Sequence, residues 1–202
     1  TEAKLSGPVK KLPTPPKRKL REIFDEATGK KKKANITAHE FHKYLQKNIQ
    51  DMRLAISRRA FAFKDPGNID EAINQLKEAH KNLCRQGAQT MFFNILFGSY
   101  LEKLYNWFQR EQKSQCVGIN WDKWLTTHIA ISSSHARKLR QLARLLNEYP
   151  RFQHVNISLN EVLSKQSLIK KMLAIEEYST YWKTAYAIPE ETTESPELVT
   201  SQ

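Results

Sequence analysis

The segment 122–146, with the sequence DKWLTTHIAISSSHARKLRQLARLL, constrains the fold of this 202-residue chain more than any other. From Ser133 onward, apolar residues recur at steps of three and four, which is the spacing of one face of an α-helix. Arg137, Arg140 and Arg144 fall on the opposite face. A shorter helix precedes this one, and the connection between the two is a tight turn. The segment therefore predicts a helix-turn-helix whose second helix has one apolar face and one basic face.

Helical spacing also dominates the rest of the chain, and no segment alternates apolar and polar residues as a half-buried strand does. Capping residues mark several helix starts, and Thr37 with Glu40 forms a capping box. The sequence thus predicts an all-α fold of about five to seven helices. We expect one helical domain over residues 36–187, with the helix-turn-helix at about 121–147. The predicted helix starts lie near Thr37, Asn68, Met91, Trp121, Ser133, Ser158 and Ser167.

Some of these helices have predicted extents. The first runs from its capping box until Asp-Pro-Gly at 65–67 stops it. The apolar block 91–108 either forms a helix of its own or continues the preceding helix through a bend near Gly87, and its apolar start belongs at the centre of the core. The last helix begins near Ser167 and continues through the aromatic cluster at 178–182.

The net charge of +12 favours a polyanionic partner. Nucleic acid is the first candidate, because protein cations release the counterions condensed on its phosphates. Residues 1–35 are predicted to be a flexible basic arm, since so few apolar residues cannot offset the entropy of ordering the segment. Residues 188–202 are predicted to be a flexible acidic tail. The predicted phosphate-binding residues of the arm are Lys10, Lys11, Lys17, Arg18, Lys19, Arg21, Lys30, Lys31, Lys32 and Lys33.

The turn at 129–132 has the residue types that a helix-turn-helix needs. Ala130 is small enough for two helices to approach each other, Ile131 supplies an aliphatic plug, and Ser132 can cap the second helix, although the serines after it leave the exact cap open. The start of the second helix then faces a DNA groove, and its later residues lie nearer the backbone. The predicted DNA-binding residues are Ser133, Ser134, His135, Arg137, Lys138, Arg140, Gln141 and Arg144.

The basic face has a second interpretation, in which its arginines are solvated charges on an ordinary helical hairpin. The groove-reading hypothesis requires Arg137, Arg140 and Arg144 to have no acidic partners inside the fold.

The region 94–175 resembles a helix-turn-helix of plasmid and phage proteins and of ParB-type partition proteins. In those proteins a Trp-rich helix precedes an Ile-Ser turn and an Ala-containing recognition helix. The resemblance implies DNA binding through residues 133–144, and it does not imply partition activity. The chain departs from the pattern at Ala130, where glycine is usual, and it has no segment similar to a nucleotide-hydrolysing domain or a ParB amino-terminal motif. The matching residues are Gly98, Tyr100, Leu101, Leu104, Trp121, Trp124, Ile131, Ser132 and Ala136.

Other patterns do not predict a chemical site. His39 and His42 lie three residues apart, but the sequence places no third ligand beside them, so no metal or other cofactor is predicted. The tryptophans have the helical spacing of core residues, which favours packing over base stacking. Cys84 and Cys116 lack the spacing of a metal site or a disulfide framework. Nucleophile motifs and phosphate-binding loops are absent, so we do not expect an enzyme.

The primary hypothesis is therefore a non-enzymatic protein that binds duplex DNA. One alternative is a nucleocapsid-like assembly protein, which contacts other proteins or copies of itself through its helical core and its aromatic last helix. Another is an adaptor subunit of a larger DNA-processing complex. The longest apolar run is too short for a bilayer span, so a soluble protein is expected. The basic sequence PPKRK at 15–19 favours a nuclear location in a eukaryote, with the cytoplasm or nucleoid expected otherwise.

Overall fold

The computed structural model describes residues 36–50, 58–85 and 90–185, all within the compact unit Ile36–Gln202. In these ranges the secondary structure is helical, apart from one antiparallel bridge between Ile49 and Val155. The all-α prediction is confirmed. The α-helices of the described ranges are α1 (Ala38–Lys47), α2 (Ile69–Arg85), α3 (Met91–Arg110), α4 (Trp121–His128), α5 (Ser133–Leu146), α6 (Leu159–Ser164), α7 (Gln166–Leu173) and α8 (Glu176–Lys183). Short 3₁₀ segments lie at Arg58–Phe61, Glu111–Lys113 and Pro150–His154.

Helix α3 lies at the centre of the core. Its first five residues are all buried, and buried side chains continue along it to Trp107 and Phe108. Such a helix has no solvated face at its start, so other elements must cover it from several sides. The 3₁₀ segments Arg58–Phe61 and Pro150–His154 pack against α3 together with α2 and α5. The predicted central position of this apolar block is confirmed.

Helices α3 and α5 approach each other closely at Gly98 of α3. A Cβ atom built on Gly98 lies 2.2 Å from the carbonyl oxygen of Leu139 and 3.2 Å from the Cβ of Ala143, both on α5. The first distance is far inside van der Waals contact, so only glycine lets the two helices pack this closely. The predicted apolar face of α5 lies on this side, and all of it is buried. Its residues are Ala136, Leu139, Leu142, Ala143 and Leu146.

The structure gives the ends of two helices whose extents were predicted from the sequence. Helix α2 ends at Arg85 and α3 begins at Met91, so the block forms a helix of its own, although residues 86–89 lie outside the described ranges. The prediction that the first helix continues to Asp65 is wrong. Helix α1 ends at Lys47, because the chain after it bonds to a distant segment: Gln50 N donates to His154 O at 2.8 Å and Asn156 N donates to Asn48 O at 2.9 Å.

The end of the described chain also differs from its prediction. The single helix expected from Ser167 is divided into α7 and α8 by Ile175, whose extended backbone (φ −82°, ψ 119°) caps α8. Because of this division, the described ranges contain eight α-helices, one more than the upper limit of the predicted five to seven. The capping box predicted at Ser158 is present, and it begins α6. None of the described helices is long and apolar enough to cross a membrane.

The aromatic cluster of α8 fixes α8 to α1. Trp182 is completely buried, and its indole Nε1 donates a hydrogen bond to Nδ1 of His42 at 3.1 Å. Tyr178 stacks on the same imidazole, with ring centroids 4.1 Å apart, and its hydroxyl hydrogen-bonds to His39. Burial, with a contribution from His39, lowers the pKa of His42. A neutral imidazole has an unprotonated nitrogen, which can accept the hydrogen bond from the indole N–H. The two histidines therefore join α1 to α8.

The described residues contain no group of three or more His, Cys, Asp or Glu that could hold a metal ion.

Candidate nucleic-acid interface

Helices α4 and α5 begin with side-chain caps that lie a short distance apart in the chain. Asn120 Oδ1 accepts a hydrogen bond from the backbone N–H of Lys123 at 3.0 Å, and Ser132 Oγ accepts one from that of His135 at 3.1 Å. Each cap satisfies one of the N–H groups that a helix start leaves without a partner. The prediction of Ser132 as a cap is confirmed, and it fixes the first residue of α5 at Ser133.

The turn between these helices differs in detail from its prediction. Ala130 is exposed, so its predicted role as a small residue between packed helices is wrong. The buried aliphatic residue of the turn is Ile129, whereas the predicted plug, Ile131, is only half-buried. The approach that demands a small residue occurs instead at Gly98 on α3. The turn therefore connects α4 to α5 without providing their main packing surface.

The tryptophans pack in the core. Trp107, Trp121, Trp124 and Trp182 are all buried. Trp121 and Trp124 each contact the ring of Phe108, with centroids 5.4 Å apart. The predicted preference for packing over base stacking is borne out.

The first half of α5 has one exposed face. Ser134, Arg137 and Lys138 are exposed, and the side chain of Arg137 retains 68% of its accessible surface. Lys138 Nζ donates to Asn160 Oδ1 of α6 at 3.0 Å. These side chains form a polar and cationic surface at the capped end of the helix.

Ser133 and His135, the other predicted residues of this half, are half-buried. Burial lowers the pKa of His135, and the positive charge of Lys138 lowers it further. Near neutral pH the imidazole is therefore uncharged, and the cationic character of this half comes from Arg137 and Lys138.

The second half of α5 is bound to α3 through Glu102. Arg140 Nε donates to Glu102 Oε2 at 2.7 Å, and Arg144 Nη1 lies 3.0 Å and 3.2 Å from the two oxygens of the same carboxylate. The guanidinium carbon of Arg140 also lies 3.5 Å from the ring centroid of Tyr105, a cation–π geometry. Arg140 retains only 12% of its side-chain exposure, whereas Arg144 retains 51%.

This half does not meet the requirement of the groove-reading hypothesis. Arg140 and Arg144 share an acidic partner inside the fold, because the packing of α5 on α3 places Glu102 between them. Gln141 is half-buried, and its Nε2 donates to Gln166 Oε1 of α7 at 3.1 Å. Arg140 and Arg144 bind Glu102, and Gln141 binds Gln166. The predicted contacts of these three side chains with a DNA backbone are therefore not retained.

Arg137 also has an acidic partner, but its setting is different. Its Nη2 lies 3.4 Å from Oδ2 of Asp122 in the first turn of α4, and Asp122 retains 46% of its side-chain exposure. Both residues line an open polar recess of about 310 Å³ between α3, α4 and α5. The pair is therefore a solvent-exposed contact at the surface.

Helix α4, whose Asp122 contacts Arg137, also has exposed polar side chains. Lys123, Thr126 and Thr127 are exposed, and the two threonine hydroxyls donate to backbone oxygens one turn earlier in their own helix. We use the name α4–α5 surface for the side chains of Lys123, Thr126, Thr127, Ser134, Arg137 and Lys138.

The remaining predicted residues lie outside the described ranges. The predicted tail, residues 188–202, is also outside them. The predicted contact residues in this category are Lys10, Lys11, Lys17, Arg18, Lys19, Arg21, Lys30, Lys31, Lys32 and Lys33.

Comparisons with protein-family models, with curated proteins and with solved structures found no match to this chain.

Proposed function

We propose that this protein is a non-enzymatic DNA-binding protein that contacts duplex DNA through the α4–α5 surface. The observation that carries the proposal is the exposure of Ser134, Arg137 and Lys138 on one face of the capped start of α5, whose opposite face is buried. An exposed helix start of this kind can enter a major groove while the rest of the domain holds it in place.

The side chains of the surface suit two kinds of contact. The guanidinium of Arg137 can donate two parallel hydrogen bonds to the edge of a guanine, which is the most frequent base-specific contact in the major groove. Lys138 and Lys123 are exposed, flexible cations suited to phosphates. The proposed sequence preference therefore depends chiefly on Arg137.

The overall charge supports a polyanionic partner. The chain has a net charge of +12, and the sequence of residues 1–35 is rich in lysine and arginine. In the proposal, the cations of this segment add contacts to phosphates that are independent of base sequence. The nucleus, or the nucleoid in a bacterium, is the proposed site of action.

The test compares a variant of the surface with one of equal charge loss elsewhere. Arg137→Ala/Lys138→Ala removes two cations of the surface, and Lys43→Ala/Lys47→Ala removes two exposed cations of α1. A duplex preferred by the wild type is first selected from a random library, and affinities for it and for random duplex are then measured over a salt series. We expect the first variant to lose about tenfold or more on the preferred duplex and less on random duplex.

Four outcomes contradict the proposal at different points. Equal losses on the two duplexes for Arg137→Ala/Lys138→Ala would show that the surface reads no bases. Equal losses for the α1 variant would show that the contact is not located at α4–α5. Absence of salt-dependent binding to any duplex by the wild type would refute the function itself, and tighter binding to single strands or duplex RNA would change the ligand.

A further inference from the structure

Asp122 is an acidic residue beside Arg137 of the α4–α5 surface. It is the second residue of α4, and its carboxylate lies beside the guanidinium of Arg137 on α5. The backbone oxygen of Asp122 accepts a hydrogen bond from Thr126 Oγ1, so α4 fixes its position. A carboxylate at this point faces any phosphate that approaches Arg137, and like charges at an interface oppose binding.

The geometry of the pair shows that it can open. Its N–O distance of 3.4 Å is longer than the roughly 2.7–2.9 Å of a strong charge-assisted hydrogen bond. Both side chains are exposed, and exposed ion pairs contribute little to stability. The polar recess beside them gives the guanidinium room to move without displacing a packed side chain.

The comparison with Glu102 shows what is particular to Asp122. Glu102 binds two arginines at 2.7 Å and 3.0 Å, and Arg140 is held in addition by the ring of Tyr105. That carboxylate belongs to the packing between α3 and α5. Asp122 neutralises a single cation at the surface, and this cation is the one on which the proposed base contact depends.

We propose that Asp122 is a specificity-determining residue, which holds Arg137 away from phosphates and thereby weakens the binding of DNA of random sequence. This inference rests on the proposed function. A phosphate that approaches Arg137 is negatively charged and is repelled by the carboxylate of Asp122. A guanine edge is uncharged and offers the guanidinium two parallel hydrogen bonds, so the exchange is more favourable on a preferred site. Disfavouring the wrong ligand in this way is a general source of specificity.

The experiment measures the affinity of the full chain for random duplex over a salt series. Asp122→Asn removes the negative charge with little change of shape. Asp70→Asn is the matched control, because Asp70 is an exposed second residue of α2 and its replacement causes the same change in net charge and helix-dipole interaction. We expect Asp122→Asn to bind random duplex about three- to tenfold more tightly, with a steeper salt dependence, by about one phosphate contact. The control should change affinity less than twofold, a difference on the order of that from screened distant charges.

A double mutant tests the role of Arg137. In an Arg137→Ala background, Asp122→Asn should raise affinity much less than it does in the wild type, because no guanidinium is left to release. A gain that persists in full would overturn the holding role. Asp122→Ser serves as a second variant, and thermal unfolding of each variant confirms that it is folded.

The failure of this inference differs from the failure of the proposed function. If the wild type binds duplex DNA and Asp122→Asn behaves like Asp70→Asn, only the role of Asp122 is overturned. If the wild type shows no salt-dependent binding to duplex DNA, both are overturned.

Discussion

The two halves of α5 contain the same kind of residue in different environments. In the first half, Arg137 and Lys138 extend into solvent and contact α4 and α6 through single polar bonds. In the second half, Arg140 and Arg144 converge on one carboxylate of α3, and Arg140 lies against an aromatic ring. The comparison shows that the strength with which an arginine on a helix face is bound depends on the acidic and aromatic side chains of the element it packs against.

The position of α3 explains the difference. The contact at Gly98 brings the second half of α5 against α3 at Leu139 and Ala143, so side chains on that half lie within reach of Glu102. The polar contacts of Arg137 and Lys138 are instead with α4 and α6. The packing of one pair of helices thus determines which cations remain available to a ligand.

The largest expected effect comes from adding a methyl group at Gly98, where α3 and α5 are in close contact. In Gly98→Ala the added methyl group meets the backbone of Leu139, which cannot move aside as a side chain would, so α3 and α5 must separate. We expect the free energy of unfolding in denaturant to fall by about 3 kcal/mol or more. Ser99→Ala, at the next position of the same helix, is the control and should change it by less than about 1 kcal/mol. Equal stability of Gly98→Ala and the wild type would mean that this contact does not position α5.

A second variant removes the carboxylate of the second half. Glu102→Ala leaves Arg140 largely buried without its anionic partner and frees Arg144. We expect a loss of about 2 kcal/mol in the free energy of unfolding, less than for a fully buried pair because Glu102 keeps some contact with solvent. Glu148→Ala, which removes an exposed carboxylate just after α5, is the control and should have little effect.

Glu102→Ala also tests whether the arginines in the two halves of α5 differ in their availability to DNA. If Glu102→Ala is as stable as the wild type and binds random duplex as tightly as Asp122→Asn does, then the arginines of both halves are equally available to DNA. The distinction drawn from their packing would then be wrong. A destabilised variant that gains less affinity than Asp122→Asn supports it.

The parts of this fold that could be predicted are those that depend on neighbours in the chain. The side chains of Thr37, Ser132 and Ser158 each accept a hydrogen bond from the backbone N–H of the residue three positions later. Both partners of such a cap lie within four consecutive residues, so the cap can be predicted from the sequence. The apolar face of α5 repeats within one helix in the same way. Local patterns of this kind predicted helix starts and buried faces correctly.

Two of the errors arose where the partner is distant in the chain. Glu102 and Arg140 are 38 residues apart, and nothing in the spacing of either indicates that they meet. Helix α1 ends where its continuation bonds to the segment around Val155. Tertiary contacts therefore decided which predicted DNA contacts are exposed, and a single sequence does not contain that information in its local pattern.

The smallest expected effect tests the first half of α5 by itself. Ser132→Ala removes the hydroxyl that accepts the N–H of His135, so the first turn of α5 loses a cap and becomes less stable. We expect a loss of about 1 kcal/mol in the free energy of unfolding. Hydrogen exchange should quicken at the backbone amides of the first turn, while those beside Leu139 and Ala143 change only by the global loss of stability.

Ser134→Ala is the control for this variant, because it removes an exposed hydroxyl of the same turn and leaves the cap at Ser132 in place. Since Ser134 is also part of the α4–α5 surface, the control is judged by stability and hydrogen exchange, not by DNA affinity. If Ser132→Ala quickens exchange equally along the whole of α5, the helix opens as one unit. Its two halves then differ in their partners without differing in local stability. If the faster exchange stays in the first turn, the half that contains Arg137 can loosen without disturbing the contact of α5 with α3.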